Sequence, residues 1–194
     1  MVIFVESKRV GKRTVKLKNN PTIIEATSIV GPKEGKGPLK DYFDIILDDD
    51  LCGQKSWELA ESKMIQTVLE KTMKKANKTY QDIHYMIGGD LINQLVPSSF
   101  AARELQIPFL GIYGACSTMA EGMCLSSMLI DGGFADYILS CASSHYCTAE
   151  RQFRYPLEFG NQKPMTAQWT VTGSGAVLIS PNKIGPKIKY VTIG

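Results

Sequence analysis

Phe109-Leu-Gly-Ile-Tyr-Gly-Ala-Cys-Ser-Thr118 is an apolar run that closes in small residues and then a cysteine. The following stretch, Met119 to Ile130, carries a single charge, Glu121, and Gly132-Gly133 stop it. This reads as a strand, a tight turn and a helix, with Cys116 at the helix N-terminus. A thiol held there faces unpaired backbone N–H groups and the positive end of the helix dipole. The position suits a nucleophile or an anion-binding site. The competing reading is a small buried hydrophobe, the usual state of a free cysteine.

The helix after Cys116 has small residues on several sides, Ala120, Gly122, Ser126 and Ser127, and is apolar nearly all round. That pattern predicts a helix buried between layers. Around it, Ile23 to Ile29 reads as a strand and Gly31 to Pro38 as a loop. Ser56 caps a helix running to about Ala76, with Trp57, Ala60, Met64, Val68 and Leu69 at helical spacing. Ile83 to Gly88 predicts a strand and Ser98 to Leu105 a short helix. Tyr137 to Ala142 and Thr170 to Ile179 predict strands, and Ile188 to Val191 begins another. Strands alternating with helices give an α/β fold, a mostly parallel sheet covered by helices on both faces.

At 194 residues and 44% hydrophobic, the chain is long and apolar enough for one sizeable core. A net charge of +3, with no aromatics interleaved along a basic stripe, argues against nucleic acid. No run reaches the ~18 apolar residues of a membrane span. The start, Met1-Val-Ile-Phe-Val-Glu6, lacks the parts of a signal peptide, so secretion is not expected. Cys52, Cys116, Cys124, Cys141 and Cys147 form neither CxxC pairs nor zinc spacing. Reduced thiols in a cytosolic compartment are expected, with no metal and no cofactor. Lys8, Arg9, Lys12, Arg13, Lys16 and Lys18 make residues 1–20 a basic extension ahead of a domain at 21–194. It reads as a solvated, frayed end or as a tail resting on an anionic membrane surface.

The strand ending in Gly-Ala-Cys116, the apolar helix, Gly132-Gly-Phe-Ala135, Ser143-Ser144 and Thr172-Gly-Ser-Gly-Ala-Val177 resemble the N-terminal half of thiolase-like condensing enzymes. Longer blocks narrow this. Cys52-Gly-Gln-Lys-Ser-Trp-Glu58, Gly89-Asp-Leu-Ile-Asn-Gln94, Thr148-Ala-Glu-Arg-Gln-Phe-Arg-Tyr-Pro156 and Gln162-Lys-Pro164 resemble the stage V sporulation AD family over about residues 20–194. The resemblance implies a thiolase-like fold used for binding rather than for catalysis. It implies a soluble component that binds dipicolinic acid, free or as its calcium chelate. That component serves a membrane complex, the stage V sporulation AA to AF proteins, which moves the acid into the developing spore and bears on germination. The implied place is peripheral, on the cytoplasmic side of the forespore or spore inner membrane, with a homodimer among the expected assemblies. The alternative is an acyltransferase or condensing enzyme with Cys116 as the acyl-accepting nucleophile. The histidine and asparagine that activate that cysteine in condensing enzymes belong to the second half of the fold. Neither His84 nor His145 matches them, so the chain reads as an N-terminal half that exposes apolar surface around Met119, Met123 and Leu129.

Dipicolinate is a flat ring with two carboxylates, and the candidate ligand residues follow from that. Cys116 lines the pocket. Ser144 and His145 follow a strand end, where α/β sheets bind ligands. Arg151 and Arg154 offer guanidinium groups that pair with carboxylates and stack on rings, unless they brace a loop through Glu150 or Glu158. Phe153 and Tyr155 supply apolar walls. Asp90 and Asn93 follow another strand end, although turn formation alone also explains them. Lys55, Trp57 and Glu58 read as helix-entry residues, and Gly173 and Gly175 as close-packing positions.

Overall fold

The structure is a computed structural model that describes residues 7–92, 94–153, 166, 168–181 and 184–194. A two-stranded antiparallel ribbon joins β1 (Thr14–Lys16) to β8 (Tyr190–Thr192). The main sheet holds β2 (Thr22–Val30), β3 (Ile45–Ile46), β4 (Tyr85–Gly89), β5 (Phe109–Gly111), β6 (Ile138–Ser144) and β7 (Gly173–Ser180). Their order is β3-β2-β7-β6-β4-β5. β3 runs parallel to β2, and β6, β4 and β5 are parallel to one another; β7 is antiparallel to both its neighbours. Among the described residues the α-helices are α1 (Trp57–Lys75), α2 (Val96–Leu105), α3 (Thr118–Asp131) and α4 (Tyr146–Phe153).

Strand alternation sends neighbouring residues to opposite faces, and two cores result. Met86, Leu139 and Leu178 meet Met64, Ile65, Val68 and Leu69 of α1 and Ala101, Ala102 and Leu105 of α2. Ile87, Ile138, Val177 and Ile179 face the other way, toward α3. Each fully buried aliphatic side chain contributes roughly 1.5–3 kcal/mol. Ser56 caps α1 by accepting the Leu59 N–H at 3.3 Å.

Helix α3 approaches the sheet through its small residues. A Cβ on Gly122 would sit 3.3 Å from the Ile87 carbonyl oxygen, and Ser126 and Ser140 share a buried hydrogen bond of 2.7 Å. Gly122, Ser126 and Ser127 are buried, whereas Met119, Met123, Leu125 and Leu129 are half-buried and Met128 is exposed. The helix is apolar nearly all round, yet three of its six buried positions, Gly122, Ser126 and Ser127, are small residues.

Local chemistry moves several boundaries from their sequence reading. Val96 opens α2 because Pro97 occupies a first-turn position that needs no N–H. Residues 146–153, to which the sequence reading gave no element, are helical. From residue 8 on, hydrogen bonds tie the basic stretch back to the fold. Lys16 N–H donates to the Lys8 carbonyl, and the buried Asp131 gathers the Lys18 and Asn19 N–H groups and the Lys8 ammonium at 2.6–2.7 Å. Burial works against the charge of Asp131, but these donors outweigh it and its pKa falls. Asp131 therefore stabilises the fold above its ordinary value of 3.8, and that contribution is lost as pH falls through the lowered folded value. Asp131→Ala is expected to cost about 1.5–3 kcal/mol in urea denaturation at pH 7. It should also speed amide exchange at Lys18 and Asn19 before it affects the sheet.

Candidate functional site

The C-terminal ends of β4, β5 and β6 and the N-terminal end of β7 meet at one edge of the sheet. A cleft of about 530 Å³ opens there. Its walls are Leu91 after β4, Ala115 and Cys116 after β5, Ala142 to Ser144 of β6, Gln168 to Val171, and Gly173 to Gly175 of β7.

The turn carrying Cys116 is held by its own side chains. Ala115 has a left-handed backbone, φ +48°. Thr118 Oγ1 accepts the Gly114 N–H at 3.1 Å and donates to the Ala115 carbonyl at 2.9 Å. A Cβ on Gly114 would lie 2.5 Å from both Glu121 Oε2 and Ser117 Oγ. A short 3-10 turn, Ala115–Ser117, then leads directly into α3 and leaves Cys116 exposed at the helix start. On the opposite wall, Ser144 Oγ donates to the Val171 carbonyl at 2.5 Å and fixes the 168–171 segment.

Cys116 and Ser144 thus share the cleft, as the sequence suggested. Other expected residues lie around it without lining it. His145 is fully buried: its Nε2 lies 2.7 Å from the Asp50 carbonyl, and its Nδ1 accepts the Cys147 N–H at 3.2 Å. Both ring nitrogens serve backbone, which fits a structural tautomer. Asp90 is buried and holds the turn into α2, accepting the Ile92 N–H, the Ser98 N–H and the Ser98 hydroxyl at 2.9, 3.0 and 2.6 Å. Burial pushes its pKa up despite these bonds. Arg151 is ion-paired with Glu58 at the start of α1 and lies 5.4 Å from the Trp57 ring centroid. It braces α4 against α1. Arg154, Asn93 and Tyr155 lie outside the described residues.

Two features escaped the sequence reading. Trp169 lines the cleft, stacked at 4.6 Å on Tyr146, with the Lys33 ammonium 3.2 Å from its centroid. No periodicity marks this tryptophan. Glu61 is fully buried on α1, where burial pushes its pKa up to about 7, with a further push from Asp90. A carboxylate between Ala60 and Met64 on an apolar face was a visible signal. Among the described residues, no three His, Cys, Asp or Glu side chains group to hold a metal.

A strand, a left-handed elbow, an exposed cysteine and an apolar helix, built on this sheet, define a thiolase-like fold. Solved structures agree. A histidine-to-alanine variant of Xanthomonas campestris OleA has a TM-score of 0.57 at 17% identity, covering 85% of this chain and 57% of that one. The Aquifex aeolicus VF5 3-oxoacyl-acyl-carrier-protein synthase III has a TM-score of 0.56 at 14% identity, covering 84% and 55%. The sequence profile of the stage V sporulation protein AD family matches residues 11–194, and the chain belongs to that family. It is 46% identical over 187 residues to stage V sporulation protein AD of Bacillus subtilis (strain 168), covering 96% of this chain. The chain spans about half the length of that relative, 55%.

Two outcomes test this description. Maleimide-type labelling should modify Cys116 first and Cys141 last, because Cys141 is buried and its thiol is pushed up to about 12. Cys116→Ser should remove the fast phase. For Glu61, the folded protein holds a proton that the unfolded chain releases between pH 4.5 and about 7. This group makes stability fall as pH rises across that window, by up to about 3 kcal/mol. Urea denaturation of Glu61→Gln should show that fall flattened relative to the unsubstituted protein.

Proposed function

We propose that the cleft is the ligand site of a sporulation protein that binds dipicolinic acid, free or as its calcium chelate, for delivery into the developing spore. The observation that carries this reading is the cleft's composition. Ser143, Ser144 and Thr170 line the cleft with the indole of Trp169, and Cys116 at the start of α3 lines the wall facing Ser144. Hydroxyls and N–H groups suit carboxylates, and an indole suits an aromatic ring. Family membership supports the same reading. The matching partners are other stage V sporulation proteins at the cytoplasmic side of the spore inner membrane, with peripheral attachment. No described helix is long and apolar enough to cross a membrane.

A second reading, acyl transfer through Cys116, is favoured by the exposure of that thiol in the same cleft. An OleA variant has been solved with bound lauric acid and lauroyl-CoA.

Calorimetry on the intact protein separates the two. Dipicolinate should bind and benzoate, with one carboxylate and no ring nitrogen, should bind far more weakly. Trp169→Ala should weaken dipicolinate by about tenfold, the value of one aromatic contact. Arg151→Ala should change affinity little, since Glu58 holds the guanidinium. Equal heats for the two acids overturn the binding reading. A lauroyl mass adduct on Cys116 after incubation with lauroyl-CoA, absent in Cys116→Ser, establishes the transfer reading instead.

A further inference from the structure

Ser143 lines the cleft, and behind it lies an acid that no step above uses. The Ser143 hydroxyl donates to Glu61 Oε1 at 2.8 Å. The other carboxyl oxygen, Oε2, lies 3.1 Å from Thr148 Oγ1, which also lies 3.0 Å from the His145 carbonyl. Thr148 has one hydroxyl proton and two acceptors. A proton on Glu61 Oε2 removes the conflict, because Oε2–H donates to Thr148 and Thr148 donates to His145. A proton on Oε1 instead donates to Ser143 Oγ and turns the Ser143 hydrogen outward.

We propose that Glu61 sets the hydrogen-bond polarity of the cleft through Ser143, so that a carboxylate binds there with uptake of a proton at Glu61. With Glu61 ionised, Ser143 commits its proton inward and offers the cleft only lone pairs, which repel an anion. With Glu61 neutral and its proton on Oε1, Ser143 accepts from the carboxyl and donates to the anion; a proton on Oε2 leaves Ser143 turned inward, so the anion selects the Oε1 form. The proton comes from solvent, and no other bond changes. Glu61 is a positioning residue, since it acts through Ser143. The inference rests on the cleft being the ligand site proposed above.

The neighbouring charges leave Glu61 free to respond. Asp90, beyond the end of β4, repels a charge on it. Arg151 of α4 is ion-paired with Glu58, one turn earlier on α1. From β6 and its end come the buried Cys141 thiol and the His145 ring, which is held by backbone. Glu150 of α4 and Asp50 act on Cys147, and Lys63 of α1 acts on Cys52. A carboxyl with its midpoint at about 7 changes its proton occupancy near neutral pH.

The test is calorimetry of dipicolinate into the intact protein at pH 7, in phosphate and in Tris, whose ionisation enthalpies differ. The ligand is fully ionised there, so any proton uptake belongs to the protein. The expected result is net uptake of a fraction of a proton per ligand, the share of Glu61 that is ionised before binding. In Glu61→Gln binding should persist without uptake, because the amide can donate to Ser143. In Ser143→Ala affinity and uptake should both fall. Undiminished uptake in either variant, or binding to the unsubstituted protein without uptake, overturns the proposal; circular dichroism confirms that each variant is folded. If dipicolinate gives no heat, the ligand reading itself fails. Glu61 is then judged by carbon-13 NMR of the glutamate carboxyls without ligand. The signal missing in Glu61→Gln should titrate near pH 7 and move upward in Ser143→Ala. An ordinary carboxylate midpoint overturns the proposal.

Discussion

A Cβ on Gly89 would lie 2.1 Å from the Ile112 carbonyl oxygen, and one on Gly88 would lie 2.0 Å from that of Cys141. No side chain survives such approaches, so the end of β4 must be bare. This bareness lets the chain leaving β5 and the end of β6 close in from either side. The Ile112 N–H donates to the Gly88 carbonyl at 2.9 Å, which carries the chain past β5 toward the elbow. The elbow that presents Cys116 and the strand end that presents Ser143 and Ser144 both take their places from these two glycines.

Beneath the cleft the polar groups form a layer rather than scattered contacts. Asp90 ties the end of β4 to α2, and Glu61 ties α1 to the end of β6 and to α4. His145 ties that same end to the loop at Asp50. Each has hydrogen-bonding partners, so each fixes position more than it adds net stability. The cost of burying two acids together appears in their raised pKa values. A core built only for stability would place apolar side chains here.

Much of this could be read from the chain. The alternation of apolar runs placed the main strands and both longer helices, and the run ending in Cys116 located an exposed thiol in the cleft. The ring of His145 and the guanidinium of Arg151 could not be placed, because their direction depends on partners distant in sequence, Asp50 and Glu58. Trp169 was missed for the same reason, since its position comes from Tyr146 and Lys33 rather than from any local period. Helix α4 was missed because its eight residues depend on tertiary contacts more than on a strong pattern. Glu61 was overlooked although it interrupts an apolar face, the kind of local inconsistency that marks a functional position.

The ribbon of β1 and β8 has a bearing on the order in which the chain assembles. Its Thr14–Thr192 contact joins positions 178 residues apart. Closing so long a loop in an unfolded chain is entropically costly. Once Thr22 has paired with Ser180 at the end of the β2–β7 ladder, only the short arms outward from those two residues remain to be joined. Closing about 20 residues instead of the whole span lowers the entropic cost by roughly 2 kcal/mol. Loop entropy therefore favours closing the ribbon, and the basic segment it carries, after the central ladder.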